Sequence, residues 1–144
     1  MPVVTTPDRA AAAAFRPVRG RAVAIIIGVA ILVGAVGLAI VLPEEYRIMD
    51  RLTCAGIGVG VAAFMTRYAT IHAKPDAEGL YVRNLGGGEH IPWDEITAVR
   101  FSQGMPWPRI DLSDGTDMAV MAIQRSDGPR SVAEAQRLAD LIGR

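Results

Sequence analysis

From Ala22 to Leu42 the chain runs for 21 positions without a charged residue, and this stretch limits its possible folds more than any other feature. As a helix rising about 1.5 Å per residue, such a run crosses the roughly 30 Å hydrocarbon core of a bilayer. In a chain of 144 residues, that leaves room for an anchor and one small domain. Leu52 to Thr66 adds 15 uncharged positions, and the segment continues through Arg67 and Tyr68 to Ala73. The arginine can reach for headgroups and the tyrosine suits the interface, which makes the second segment long enough to cross as well.

Two other readings compete for these segments. A cleaved signal peptide has a shorter apolar core, and no small-x-small cleavage site precedes Pro43. A buried core helix needs more soluble residues to wrap it than the chain offers. The sequence therefore predicts a transmembrane helical hairpin over residues 22–73, with spans at about 22–42 and 52–73. Residues 1–21 form a tail with Arg9, Arg16, Arg19 and Arg21 against Asp8, and the far side of the second span carries Arg67 and Lys74. The loop between the spans carries Glu44, Glu45 and Asp50 against Arg47, with Arg51 next. Basic flanks stay in the cytoplasm. The expectation is a two-pass protein of the plasma membrane, with a cytoplasmic tail over 1–21, both termini cytoplasmic and a cytoplasmic domain over 74–144. Cys54, the one cysteine, has no partner for an internal disulfide and reads as a small packing residue.

Helices in lipid gain nothing from apolar burial against each other, so close association needs small side chains. Gly56 and Gly60 stand four apart in the second span, beside Gly58, and the first span offers Ala24, Gly28, Gly34 and Gly37. They can pack the hairpin on itself or dock it on a larger membrane protein. No ionisable residue lies at mid-membrane depth, which argues against an ion or proton path.

Beyond Ala69 the pattern alternates, as in strands with one wet face. "YATIHA" can lead off the helix as a first strand, "LYVRNL" is a second, and "GGG" at Gly86 to Gly88 is a tight turn. Ile91 and Trp93 belong to a third strand, and Ile96, Val99 and Phe101 to a fourth after the acidic turn. "RIDL" and "TDMAVMAI" follow, joined by "SDG", whose Asp114 and Gly115 suit a hairpin turn. Ser131 and Glu134 read as a capping box opening a C-terminal helix, with Ala135, Leu138, Ala139 and Ile142 on its apolar face.

Within "DAEGLYVRNLGGGEHIPWDEITAVRF" lie Glu78, Gly79, Leu80, Val82, Arg83 and Asn84, then Ile91, Pro92, Trp93, Glu95 and Ile96. This stretch resembles the bacterial PH-domain families, in which an E-G-L-x-V-R-N strand precedes I-P-W-x-E-I. With two spans ahead of it, the chain also resembles the small membrane-anchored PH proteins of high-GC Gram-positive bacteria, a group that includes low-molecular-weight antigen 6. The resemblance implies an α+β fold: the transmembrane hairpin, then a small PH-like β-barrel or sandwich capped by the C-terminal helix. Trp93 would plug the barrel, with Pro92 tolerated at a strand end.

Motifs for chemistry are missing. His72 and His90 have no cysteine or carboxylate at metal-ligand spacing. "DLSDGTD" lacks the twelfth-position glutamate of a calcium loop. "NLGGGEH" lacks the lysine and following helix of a phosphate loop, and no serine has G-x-S-x-G context. No catalytic residue, cofactor or metal is expected, nor a nucleic acid or small-molecule substrate. Residues 74–144 hold eight bases and eleven acids, a net of −3, and the clustered basic patch that anionic headgroups want is not expected in this domain. "QGMPWPRI" instead displays Met105 and Trp107 between prolines, either as a stiff contact anchor or folded back onto the domain. The expected function is a non-catalytic membrane-anchored PH-like adaptor or accessory subunit in a larger integral membrane complex, contacting its partner through Met105, Trp107, Gly56 and Gly60. A lipid-headgroup-sensing PH module is the alternative.

Overall fold

The computed structural model describes residues 8–143, so the first seven positions of the expected tail and Arg144 lie outside the described residues. Two compact units emerge, one over Gly20–Thr70 and one joining the segment up to Arg19 with Ile71 onward.

The first unit is a helix pair, α1 over Arg19–Val41 and α2 over Ile48–Ala69. Both are long and apolar enough to cross a membrane, and only 11% and 6% of their most apolar windows are buried. The core helix of a soluble protein is mostly covered; here Ile26, Val33, Ile40, Ile57 and Phe64 stand exposed. The seam between the helices runs along small residues. A Cβ added at Gly58 would lie 2.4 Å from the Ala35 Cβ, and one at Gly28 would lie 3.0 Å from the Met65 Cβ. Gly56 and Gly60 sit two residues either side of Gly58, about 200° around the helix, and a Cβ on either meets no neighbouring atom within 4 Å among the described residues.

Two charged residues finish the pair. The Asp50 carboxylate accepts from the Arg47 amide at 2.9 Å, reaching back across the first turn of α2. The Arg51 guanidinium donates to the carbonyls of Ala39 at 3.0 Å, Ile40 at 3.1 Å and Pro43 at 3.2 Å, and also to Leu42. These oxygens end α1 and lack intrahelical partners, so a cation there satisfies them and opposes the negative end of the helix dipole. Arg51→Ala is expected to fray the last turn of α1, costing on the order of 1–2 kcal/mol locally. Faster amide exchange confined to residues 38–42, partly restored by Arg51→Lys, is the expected measurement.

The predicted second span shifts. α2 begins at Ile48 and stops at Ala69, because Thr70 closes the helix and Ile71 and Ala73 are buried in the other unit. The hairpin therefore does not extend to residue 73.

The second unit holds two antiparallel sheets. β1 (His72–Pro75), β2 (Gly79–Asn84) and β3 (Gly87–Pro92) pair in that order; β4 (Ile96–Arg100), β5 (Arg109–Leu112) and β6 (Asp117–Ala119) make the other. The architecture is α+β, a sandwich of two sheets and not a closed barrel. Leu80, Val82, Ile91, Ile96, Ile110 and Val120 fill its interior, covered by Leu138 and Leu141 of α3 (Pro129–Ile142). Asn84 stitches β2 to the far sheet: its Nδ2 donates to the Ala119 carbonyl at 2.7 Å and its Oδ1 accepts from the Met121 amide at 3.1 Å. The "SDG" turn forms as expected, with Gly115 at φ +86°. "TDMAVMAI" yields only the three residues of β6, since Ala122 and Ile123 are buried in an irregular stretch that leads to α3.

Three expectations need correction. Ser131 and Glu134 form no capping box. The helix opens at Pro129 after Gly128, whose φ of +69° few side chains tolerate, and Ser131 lies one turn in, donating to the Gly128 carbonyl at 2.6 Å. Glu134 instead pairs with Arg137 at 2.7 Å. The buried face of α3 is Ser131, Ala135, Leu138 and Leu141, one step round from the predicted Ala139 and Ile142. Finally, residues 8–19 are no separate tail. Phe15 is completely buried and exchanges backbone hydrogen bonds with Ala73, at 2.7 and 3.0 Å. The Arg137 guanidinium lies 3.7 Å over its ring.

Trp93 opens a single 3-10 turn, Trp93–Glu95, after Pro92 ends β3 at φ −57°. Its indole, 7% exposed, donates to the Asp76 carbonyl at 2.9 Å and lies under the Arg9 guanidinium. Asp76 organises this corner. Its Oδ1 accepts from the amides of Gly79 at 2.7 Å and Glu78 at 2.9 Å, and its Oδ2 meets His90 Nε2 at 2.9 Å. These bonds, the Gly79 amide foremost, hold the carboxyl below its ordinary 3.8. A depressed acid stabilises the fold above its unfolded value and loses that contribution as pH falls through the folded one. Stability is thus expected to decline below about pH 4, and Asp76→Asn should flatten part of that acid limb in thermal melts.

Candidate functional site

The connection from β4 to β5, residues 101–108, is held from beneath by one residue. Gly104 turns the chain at φ +86°, and the Met105 amide donates to the Ser102 carbonyl at 3.2 Å. Arg125 then binds the loop at four points. Its side chain donates to the carbonyls of Met105 and Ser102, both at 2.7 Å, its guanidinium covers the Phe101 ring at 4.1 Å, and its amide donates to the Pro106 carbonyl at 2.9 Å. Pro108 is buried and accepts from the Val120 amide at 2.9 Å. The result is an ordered loop in which Met105 and Trp107 are half-buried and Pro106 is exposed. Each of the two side chains keeps one side on the domain and one in solvent. Little conformational freedom remains to be lost on binding. Arg125 escaped the sequence reading because it stands 20 positions from Met105 in an unremarkable loop.

Gly56 and Gly60 lie in the other unit, on the outward side of α2. Trp93, Pro92, Ser131 and Glu134 belong to the packing already described.

The arginines of the β4–β5–β6 sheet are occupied within the domain. Arg100 pairs with Asp111 at 2.7 Å and Asp117 at 3.2 Å, and Arg109 with Asp117. The hydrogen bond from Arg109 holds the Asp117 carboxyl below its ordinary range. The opposite sheet carries further polar side chains, among them His90, which is paired with Asp76 at 2.9 Å. Strand register sets His72 beside Arg83 and Lys74 beside Tyr81, which in turn faces His90. Alternation in a strand puts these five on the outer face, away from Leu80, Val82 and Ile91. Counting charge along the sequence found no basic cluster, because positions 72, 74, 83 and 90 converge only through the antiparallel pairing. Among the described residues, no three of His, Cys, Asp and Glu are arranged to hold a metal ion.

Comparison with known proteins adds three findings. Residues 74–140 match a family model described as bacterial PH domain. Proteins of Mycobacterium tuberculosis and Mycobacterium bovis, each named as uncharacterized, are 34% identical over 99 residues, covering 69% of this chain and 64% of theirs. Low molecular weight protein antigen 6 of Mycobacterium tuberculosis is 36% identical over 67 residues, covering 46% of this chain and 56% of that protein. The chain thus spans less than two thirds of the length of these curated relatives. No solved structure matches it.

Proposed function

We propose, from the premise that residues 74–140 belong to the bacterial PH domain family, that this chain is a non-catalytic, membrane-anchored adaptor or accessory subunit. α1 and α2 lie in the plasma membrane as a hairpin with both termini cytoplasmic, and the domain binds a protein partner within a larger membrane complex. One observation carries this reading: the helix pair leaves its apolar side chains uncovered and keeps Gly56 and Gly60 outside its own seam. Small residues facing outward in lipid permit close approach of another helix. The ordered Met105–Trp107 loop supports it, since a rigid aromatic on a firm base suits a contact anchor. None of the relatives' names denotes an enzyme.

Affinity purification of the full chain in mild detergent tests the proposal. A stoichiometric membrane-protein companion is expected, weakened by Trp107→Ala and by Gly56→Leu with Gly60→Leu; a lone protein counts against it. A periplasm-active reporter fused after Arg144 should stay silent. Saturable, headgroup-selective binding of soluble headgroup analogues to the purified chain would instead favour a lipid sensor.

A further inference from the structure

We infer that the open border of the β1–β2–β3 sheet, along β3, receives an extended segment of a protein partner as an added strand, with a lysine or arginine of that segment over Glu89. The inference deepens the reading of the domain as a protein-binding module and rests on it.

The ladder fixes which backbone groups are free. The turn Leu85–Gly86 makes Asn84 and Gly87 the closing pair of the β2–β3 hairpin, and at its other end the Trp93 amide donates to the Glu78 carbonyl at 3.2 Å. Bonds from β3 to β2 therefore fall on Gly87, Glu89 and Ile91. The amides and carbonyls of Gly88 and His90 point away from β2 and meet no partner among the described residues. The same count on β1, where the Asp76 amide donates to the Gly79 carbonyl at 2.9 Å, turns Ala73 outward. There Phe15 bonds to both groups of Ala73, at 2.7 and 3.0 Å. The chain thus closes one border of this sheet by strand pairing of its own and leaves the other open.

Sheets guard such borders with lysine, proline or a bulge. From Gly87 to Ile91, β3 has none of these: its register against β2 is unbroken, and Gly87, Gly88, Glu89 and His90 are all exposed. A short row of unpaired amides and carbonyls is the template that strand addition uses.

Charge selects the occupant. Glu89 stands directly opposite Val82, so it shares the inner face of the sheet, at the mouth of an open cleft of about 330 Å³ also lined by Asn84 and Met118. Val82 is buried and Met118 half-buried, whereas Glu89 is exposed and has no hydrogen-bond or ion-pair partner among the described residues. An added strand sets alternate side chains over this cleft. A lysine or arginine there lays its apolar stem along Met118 and brings its charge to Glu89. A second copy fits badly, because two β3 strands paired through both Gly88 and His90 set Glu89 against Glu89.

The test titrates the full chain, labelled with nitrogen-15 in detergent micelles, with blocked peptides of valine and threonine that carry either lysine or glutamate at the centre. Amide exchange is read by nuclear magnetic resonance. At saturation the lysine peptide should slow Gly88 and His90 on the order of tenfold and leave Glu89, already bonded to β2, unchanged. The glutamate peptide should bind about fivefold more weakly, and Glu89→Lys should reverse the preference. His90→Pro removes an outward amide and none that bonds to β2, so it should abolish the slowing with the rest of the spectrum intact; His90→Ala keeps the amide and should retain it. No slowing at Gly88 and His90, or slowing indifferent to the charge at position 89, would overturn the inference. Protection that rises with protein concentration without peptide would overturn it too, by making a second copy the occupant. Purification in mild detergent separates the inference from the reading beneath it. A stoichiometric companion retained equally by His90→Pro and His90→Ala overturns the added strand alone, and a chain that purifies alone yet binds the lysine peptide overturns the adaptor reading alone.

Discussion

Phe15→Ala is expected to destabilise the two-sheet domain by about 3–5 kcal/mol, although residue 15 precedes both helices. Such a loss is a large share of the roughly 5–15 kcal/mol that holds an ordinary domain together. The cost has two sources. A completely buried ring is replaced by a methyl group, leaving a void, and the Arg137 guanidinium loses the face on which it lies. The backbone bridge to Ala73 survives the substitution, but the bonds from Arg137 to the Ala13 carbonyl, at 2.9 Å, and from Arg9 to the Leu141 carbonyl, at 3.0 Å, loosen with the segment. Denaturation of the full chain in detergent, followed by tryptophan fluorescence, should show a lower midpoint with unchanged helicity of α1 and α2. Val18→Ala, at a half-exposed position in the same segment, is the control and should shift stability by less than about 0.5 kcal/mol. Equal effects of the two substitutions would mean that the segment decorates the domain and does not complete it. By the same argument, residues 74–144 expressed alone should unfold without a sharp transition.

Substitutions along α2 should separate the two glycine faces. Gly58→Val places its Cβ 2.4 Å from the Ala35 Cβ, so the helices must part, at a cost of about 1–3 kcal/mol or more. Gly56→Val and Gly60→Val meet open space and should leave the hairpin intact. Disulfide trapping between cysteines introduced across the α1–α2 seam measures this directly. Trapping should collapse in the Gly58 variant and persist in the other two, while any co-purifying partner should follow the opposite order. A Gly56 variant that breaks the hairpin as readily as the Gly58 variant would place the seam elsewhere.

The two glycine sets show where sequence reasoning stopped. The four-residue spacing of Gly56 and Gly60 was visible and pointed to close helix contact, yet the seam uses Gly58 and Gly28. Spacing identifies residues that share a face but not which face meets the partner helix. That depends on the rotation of each helix, which the nearly uniform apolarity of α1 and α2 does not encode. The capping box failed for a related reason: Ser131 and Glu134 have the right spacing, but Pro129 starts the helix earlier and moves both residues inward.

What the sequence determined on its own was everything that local chemistry dictates. An uncharged run of bilayer length, turn residues such as Asp114 and Gly115, and strand alternation follow from hydropathy and backbone preference at adjacent positions. Only the tertiary structure decided that Phe15 belongs to the domain, that Arg125 holds the Met105–Trp107 loop, that Arg51 closes α1, and that His72, Lys74, Arg83 and His90 share a face. Each of these joins residues distant along the chain, and the free energy that brings them together arises from burial and hydrogen bonding in the assembled core, which no neighbouring residue announces.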